Sequence, residues 1–312
     1  MIGVYMSENV IEVKDLVKQY GDLTAVNDIS FEVHSGEVFS ILGPNGAGKT
    51  TTVEIMECLR QPTSGSVKVL GHDINDQQKD IKRRIGVLPQ DFHSYDLLTV
   101  KESIDYFAGL YDKSLPTDDL IKAVNLEEKR NEMFKNLSGG LKQRVGVAIS
   151  MANDPDIIFL DEPTTGLDPK ARREVWDVIR NLKSRNKTVI LTTHYMEEAE
   201  VLSDRVAIMN SGKFIAFGTP KKIIEEHGIG SLCIIKGASA IARDSLTQAG
   251  MIFESKNGDL WIHVEDKTVL PKIVKTLSDS GSGYDEILLK RSTLEDVFLK
   301  LTGRKISEEV ES

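Results

Sequence analysis

Cysteine is nearly absent: the 312 residues include only Cys58 and Cys233, far apart and without the short spacing of metal-ligand pairs. That excludes a disulfide framework and a cysteine metal site, leaving two reduced, partly buried thiols as the expectation. Long apolar runs are missing too. No segment approaches the ~18 consecutive apolar residues that a bilayer-spanning helix needs, so the chain is not expected to cross a membrane itself. The opening residues, MIGVYMSENVIEVKD, lack a basic start, a long apolar stretch and a small-residue cleavage site, which places the protein in the cytoplasm by expectation. Positive charge is in deficit as well. With 39 Lys and Arg against 48 Asp and Glu, the formal net charge of −9 argues against a nucleic-acid partner, because affinity for a phosphate backbone comes mainly from excess basic groups releasing counterions. KDIKRRIG, Lys79 to Gly86, is the best candidate for a local basic patch, but such a run is usually a solvated helix face.

What is present is a chain 40% hydrophobic and long enough for a large and a small domain. From NVIEVKDLVKQYG to NDISFEVHSGEVFSILG, short strands broken at Gly21, Asp22, Ser35 and Gly36 suggest an antiparallel lobe that feeds a buried strand. Apolar strands (DIIFLDEP, KTVILTTH) then alternate with helical stretches such as KARREVWDVIRNLKSR, and RVAIMNSGKFIAFG reads as a hairpin turning on Asn210, Ser211 and Gly212. The fold class is therefore expected to be α/β, with a mainly parallel sheet crossed by helices and a helical stretch around Thr99 to Ala152. Beyond Gly228 to Gly230 the pattern changes. The order SLCIIKG, IARDSLTQAG, MIFES with LWIHVE, VLPKIVKTLSDSG, YDEILLKR predicts a small α+β unit of roughly ferredoxin-like order. A last helix follows, for which Ser292 and Glu295 have capping-box spacing, and then a polar tail, RKISEEVES. The expected domains are residues 1–228 and 229–312, and no repeat of fixed period is present.

Three stretches carry chemistry. In GPNGAGKTT, residues Gly43, Gly48, Lys49 and Thr50 satisfy G-x-x-x-x-G-K-[ST] between a predicted strand and a predicted helix. The glycines let backbone N–H groups face phosphates, Lys49 adds a charge between the β and γ groups, and Thr50 offers a hydroxyl to Mg²⁺. IIFLDEP delivers two acids to the carboxyl edge of a buried strand. There Asp161 can hold Mg²⁺ through water, while Glu162 can orient or deprotonate an attacking water. The third stretch, NLSGGLKQR, sets Ser138, Gly139 and Gly140 at a helix start, a second anion site that an ATPase with a single self-contained site does not need.

At this point the sequence resembles the nucleotide-binding subunits of ATP-binding cassette (ABC) transporters, over about residues 8 to 228. The resemblance implies an ABC-type P-loop ATPase fold and the cofactors ATP and Mg²⁺. Its phosphate loop corresponds to Gly43, Pro44, Asn45, Gly46, Ala47, Gly48, Lys49, Thr50 and Thr51, and Tyr20 corresponds to the aromatic that stacks on adenine. Gln90 corresponds to the glutamine that contacts Mg²⁺ and responds to the membrane partner, with Pro89, Phe92 and Tyr95 as apolar contacts beside it. Ser138 to Gly140 correspond to the signature, Asp161 to the magnesium aspartate, Glu162 to the catalytic glutamate, Asp168 to the interface loop and His194 to the switch histidine. One residue departs from the pattern: Leu141 stands where the signature commonly has glutamine, which leaves the turnover rate open.

The resemblance also accounts for the second anion site. In this family two cassettes pack head to tail, so that the signature of one closes on the ATP of the other, and a homodimer or a related ATPase subunit would complete the pair. The ending TLEDVFLKLTG looks like that of daunorubicin-resistance-type exporter ATPases. That implies separately encoded integral-membrane permease subunits as partners and a peripheral position on the inner face of the membrane. A soluble cassette ATPase that remodels a cytoplasmic assembly is the alternative. Its usual marks, two cassettes in one chain or a long coiled-coil insertion, are absent.

Overall fold

The computed structural model describes residues 8–228, 230–264 and 268–303. The chain divides into two compact units between Pro220 and Lys221. In the first unit, β1 (Asn9–Tyr20) and β2 (Leu23–His34) lead into β3 (Val38–Leu42), α1 (Lys49–Met56), β4 (Ser64–Val69), β5 (His72–Asp73), α2 (Gln78–Lys82) and β6 (Ile85–Leu88). A helical region follows, made of α3 (Val100–Ala108), α4 (Thr117–Ala123) and α5 (Gly139–Ser150). The chain then returns through β7 (Ile157–Asp161), α6 (Pro169–Ser184), β8 (Thr188–Thr193), α7 (Met196–Leu202), β9 (Arg205–Asn210) and β10 (Lys213–Gly218).

Two sheets result. One is antiparallel, ordered β2-β1-β4-β5; the other is ordered β10-β9-β3-β8-β7-β6, parallel except where β10 pairs with β9. Every residue of β3, β7 and β8 is buried, as expected of strands covered on both faces. The antiparallel lobe closes one side of the parallel sheet around Phe31 and Phe39, stacked with centroids 5.4 Å apart. The helical region covers the other side. There the amphipathic face of α6 (Val175, Val178, Ile179, Leu182) recurs at three- and four-residue spacing and meets Phe134 and Val145 in one core. This places the carboxyl ends of β3, β7 and β8 side by side.

The second unit begins within α8 (Pro220–His227) and continues as β11 (Ser231–Lys236), α9 (Ala240–Gln248), β12 (Glu254–Lys256), β13 (Asp259–Val264), α10 (Val269–Asp279), β14 (Glu286–Arg291) and α11 (Leu294–Thr302). Its sheet is ordered β12-β13-β11-β14 and is wholly antiparallel, which with the βαββαβ sequence is the ferredoxin-like arrangement. Cys233, Ile235, Leu246, Leu260, Ile273 and Leu277 form its core.

One expectation is corrected. The last helix is capped by Thr293 with Asp296 in a reciprocal capping box, one residue later than the Ser292 and Glu295 pair. Both pairs have the right spacing, but the Ser292 hydroxyl is already given to the carbonyl of Gly230. The tail RKISEEVES lies outside the described residues.

Candidate functional site

β3 delivers the glycine loop to the start of α1. Gly48 has φ 105° at the helix N-cap, and a Cβ there would sit 2.3 Å from the carbonyl of Ala25, so no other residue fits. Lys49 is only 4% exposed, and its Nζ donates to the carbonyls of Gly43 (2.9 Å) and Pro44 (3.1 Å) and pairs with Oε1 of Glu162 at 3.1 Å.

β7 brings the two acids opposite this loop. Thr50 Oγ1 lies 3.5 Å from Oδ1 of Asp161, and the same carboxylate oxygen accepts from the hydroxyl of Thr192 on β8. Glu162 sits in the left-handed region at φ 47°, a conformation that costs a non-glycine residue on the order of 1–3 kcal/mol. It is held there because its N–H donates to the carbonyl (3.1 Å) and the hydroxyl (3.0 Å) of Thr192. Its Oε2 accepts from Nδ1 of His194 and from the Thr165 hydroxyl, each at 3.0 Å. Burial works to raise the Glu162 carboxyl, but the hydrogen bond from His194 and the charge of Lys49 overcome it and hold the group at about 2. The Asp161 carboxyl is instead raised, with burial the main cause, against the two threonine hydroxyls that favour its charged form.

Ser138 and Asp168 belong to a different place. Ser138 caps α5, its Oγ accepting from the N–H of Leu141, and Asp168 caps α6 by accepting from the N–H groups of Lys170 and Ala171 at 2.9 Å. Both line a cavity of about 790 Å³ together with Leu141, Arg144 and Glu174, and no residue of the phosphate loop lines it. Leu141 packs against the helical core, the packing position that the departing signature residue fills.

The structure thus brings Lys49, Thr50, Asp161, Glu162 and His194 together, and leaves Ser138, Asp168, Tyr20 and Gln90 outside that cluster of contacts. Gln90 is exposed just after β6, and no described hydrogen bond joins it to Thr50 or Asp161. Phe92 is taken up by Phe134 of the helical core, whereas Tyr95 is exposed and meets Tyr106 edge to face. Tyr20, exposed at the end of β1, has Lys18 and Arg60 over its ring at 5.0 and 5.8 Å. Thr192 and Thr165 were missed in the sequence. The available signal for Thr192 was a threonine pair, Thr192 and Thr193, closing the buried strand just before His194.

A phosphate loop at the end of one buried strand, facing an Asp-Glu pair at the end of another with a histidine on the glutamate, defines a P-loop nucleotide hydrolase. Residues 26–165 match the family described as ABC transporter. The chain is 38% identical over 309 residues to Nod factor export ATP-binding protein I of Burkholderia orbicola, covering 97% of this chain and 100% of that protein. It is 34% identical over 314 residues to daunorubicin resistance ATP-binding protein DrrA3 of Streptomyces coeruleorubidus, covering 97% and 99%. A solved dimer of an ATP-binding cassette in a post-hydrolysis state, bound to ADP and Pi, is similar with a TM-score of 0.60 and 29% identity, over 67% of this chain and 98% of that one. The chain belongs to the ABC transporter family, among its ATP-binding subunits, and is an ATPase.

Proposed function

We propose that this chain is the motor subunit of a membrane exporter, working as a head-to-tail ATP-sandwich dimer coupled to separately encoded permease subunits at the inner face of the membrane. The observation that carries the dimer is the separation of the two half-sites. Lys49, Glu162 and His194 converge in one place, while Ser138 and Asp168 open onto another. A second cassette, identical or related, would bring its Ser138 to the phosphates held here. Export rests on the full-length relatives, which are named for Nod factor export and daunorubicin resistance.

In this reading Gly43 to Thr51 cradle the phosphates, Tyr20 supports the adenine, and the phosphates draw Lys49 away from Glu162. Among the described residues no three His, Cys, Asp or Glu cluster as metal ligands. Thr50 and Asp161 offer hard oxygens at one point, which fits an Mg²⁺ completed by phosphate oxygens, with Gln90 as an added ligand. The ion would neutralise developing phosphate charge. Glu162 orients the attacking water, and His194 holds Glu162 while sensing the γ-phosphate.

The test is size-exclusion chromatography with light scattering in ATP. Glu162→Gln should keep ATP and accumulate as a dimer, and adding Ser138→Arg should return it to monomer. An ATP-loaded Glu162→Gln protein that stays monomeric at high concentration would count against the sandwich.

A further inference from the structure

Near the hydrolytic residues, α6 and α7 meet through a carboxylate that no motif includes. Glu198, in the first turn of α7, is fully buried, and its Oε1 accepts 2.8 Å hydrogen bonds from both Thr164 Oγ1 and Trp176 Nε1. Thr164 lies two residues beyond Glu162 on the loop that ends at Asp168. Trp176 lies on α6, the helix that Asp168 caps. The other carboxyl oxygen of Glu198 is sealed from solvent. Burial pushes the carboxyl up, while the Thr193 hydroxyl next to His194 and the charge of Arg172 favour the ionised carboxylate.

A second contact joins the same elements. Arg172 stands one helical turn before Trp176 and so shares its face of α6. Its guanidinium lies 4.0 Å over the ring of Tyr195, and that ring is 4.1 Å from the ring of His194. The helix after Asp168 therefore grips the segment carrying His194 at two points, Tyr195 and Glu198. The loop carrying Glu162 is fastened to the same carboxylate through Thr164.

A fully buried carboxylate on which side chains of several elements converge calls for an explanation. We propose that Glu198 is a positioning residue for hydrolysis: as the common acceptor for Thr164 and Trp176, it holds the Glu162 loop and the His194 segment in fixed relation. It acts by accepting these hydrogen bonds, through the residues it holds. The proposal rests on Glu162 being the hydrolytic carboxylate.

The experiment uses the purified full chain with four substitutions: Glu198→Leu, Glu198→Gln, Thr164→Val and, as a control, Glu162→Gln. It measures kcat, ATP affinity and the indole N–H resonance of Trp176, assigned against Trp261 with Trp176→Phe. Glu198→Leu should lower kcat by about tenfold to a hundredfold, the scale of an ångström-sized misplacement of a reacting group, with ATP affinity unchanged. The Trp176 resonance should move as it loses its acceptor. Glu198→Gln should restore most of kcat, because an amide oxygen accepts both bonds, and Thr164→Val should reproduce the fall in kcat.

Unchanged kcat in a folded Glu198→Leu protein would overturn the proposal. So would equal loss of kcat and ATP affinity, or a Gln variant as defective as Leu. If Glu198→Leu does not fold, Thr164→Val decides on the same criteria. Turnover surviving in Glu162→Gln would remove the assignment of Glu162 and the proposal with it, whereas failure confined to the Glu198 and Thr164 variants would leave that assignment standing.

Discussion

Glu162 and Glu57 are both buried glutamates of the first unit, and their surroundings drive them in opposite directions. Burial raises each. At Glu162 the His194 hydrogen bond and Lys49 outweigh it, whereas at Glu57 the negative charges of Asp161 and Glu54 add to it and push the carboxyl up to about 8. The consequences for stability have opposite signs. The Glu162 contribution is present above its unfolded value and is lost as pH falls toward 2. For Glu57 the unfolded chain ionises near the ordinary glutamate value while the folded chain stays protonated, so stability falls as pH rises between about 4.5 and about 8, and levels off above. Glu57→Gln should remove this slope, at about 1 kcal/mol per pH unit within the window. The check is urea denaturation at pH 6 and pH 8: the wild-type loss between them should shrink in the variant, and a slope that survives would clear Glu57 as its source.

At the scale of elements, the packing of α5 on α6 sets where the signature stands. A Cβ on Gly140 would lie 2.7 Å from the Cβ of Ala171, an approach with no flexible atom to give way, while one on Gly139 would meet only the mobile end of Leu167. Gly140→Ala should therefore force the two helices apart and destabilise the protein by about 1–3 kcal/mol. Adding Ala171→Gly should restore ATP turnover by reopening the gap, though not the full stability, since glycine inside a helix costs about 1 kcal/mol. Denaturation midpoints and ATPase rates of the two single variants and the double variant check this. Failure of the second change to recover turnover would show that Gly140 serves something other than helix spacing.

That contact also marks what was legible in the sequence. The glycine loop, the Asp-Glu pair, the antiparallel lobe and the mainly parallel sheet were legible in contiguous patterns, because alternation, apolar runs and turn residues act over a few neighbours; the order of the strands within each sheet was not. Nor were the roles of Thr192, Thr165 and Glu198. Thr192 and Glu198 become part of the site only when β7, β8, α6 and α7 are laid side by side, and Thr165 only through the turn that folds its hydroxyl back onto Glu162 three residues earlier; a single threonine or glutamate carries no signal of either. The shift of the last cap from Ser292 to Thr293 has the same origin, a long-range bond to Gly230 that decides between two equal local choices.

At the scale of the whole molecule, the proposed transport role raises the question of how the ATPase would reach a membrane. Among the described residues no helix is long and apolar enough to cross one. The net charge of −9 also opposes adsorption to the anionic lipid of an inner leaflet, where attraction needs several clustered basic residues. Residues 79–86 gather four basic side chains, of which Arg84 is paired with Asp156 while Lys79, Lys82 and Arg83 are exposed beside the buried Ile81 and Ile85. In the reading proposed above, a protein contact rather than lipid anchors the chain. The purified chain should accordingly fail to co-sediment with anionic vesicles, yet be recovered from detergent-solubilised native membranes together with a multi-helix membrane protein in stoichiometric amount. Firm binding to bare vesicles would replace the permease by lipid as the anchor, and recovery with soluble partners only would remove the transport reading altogether.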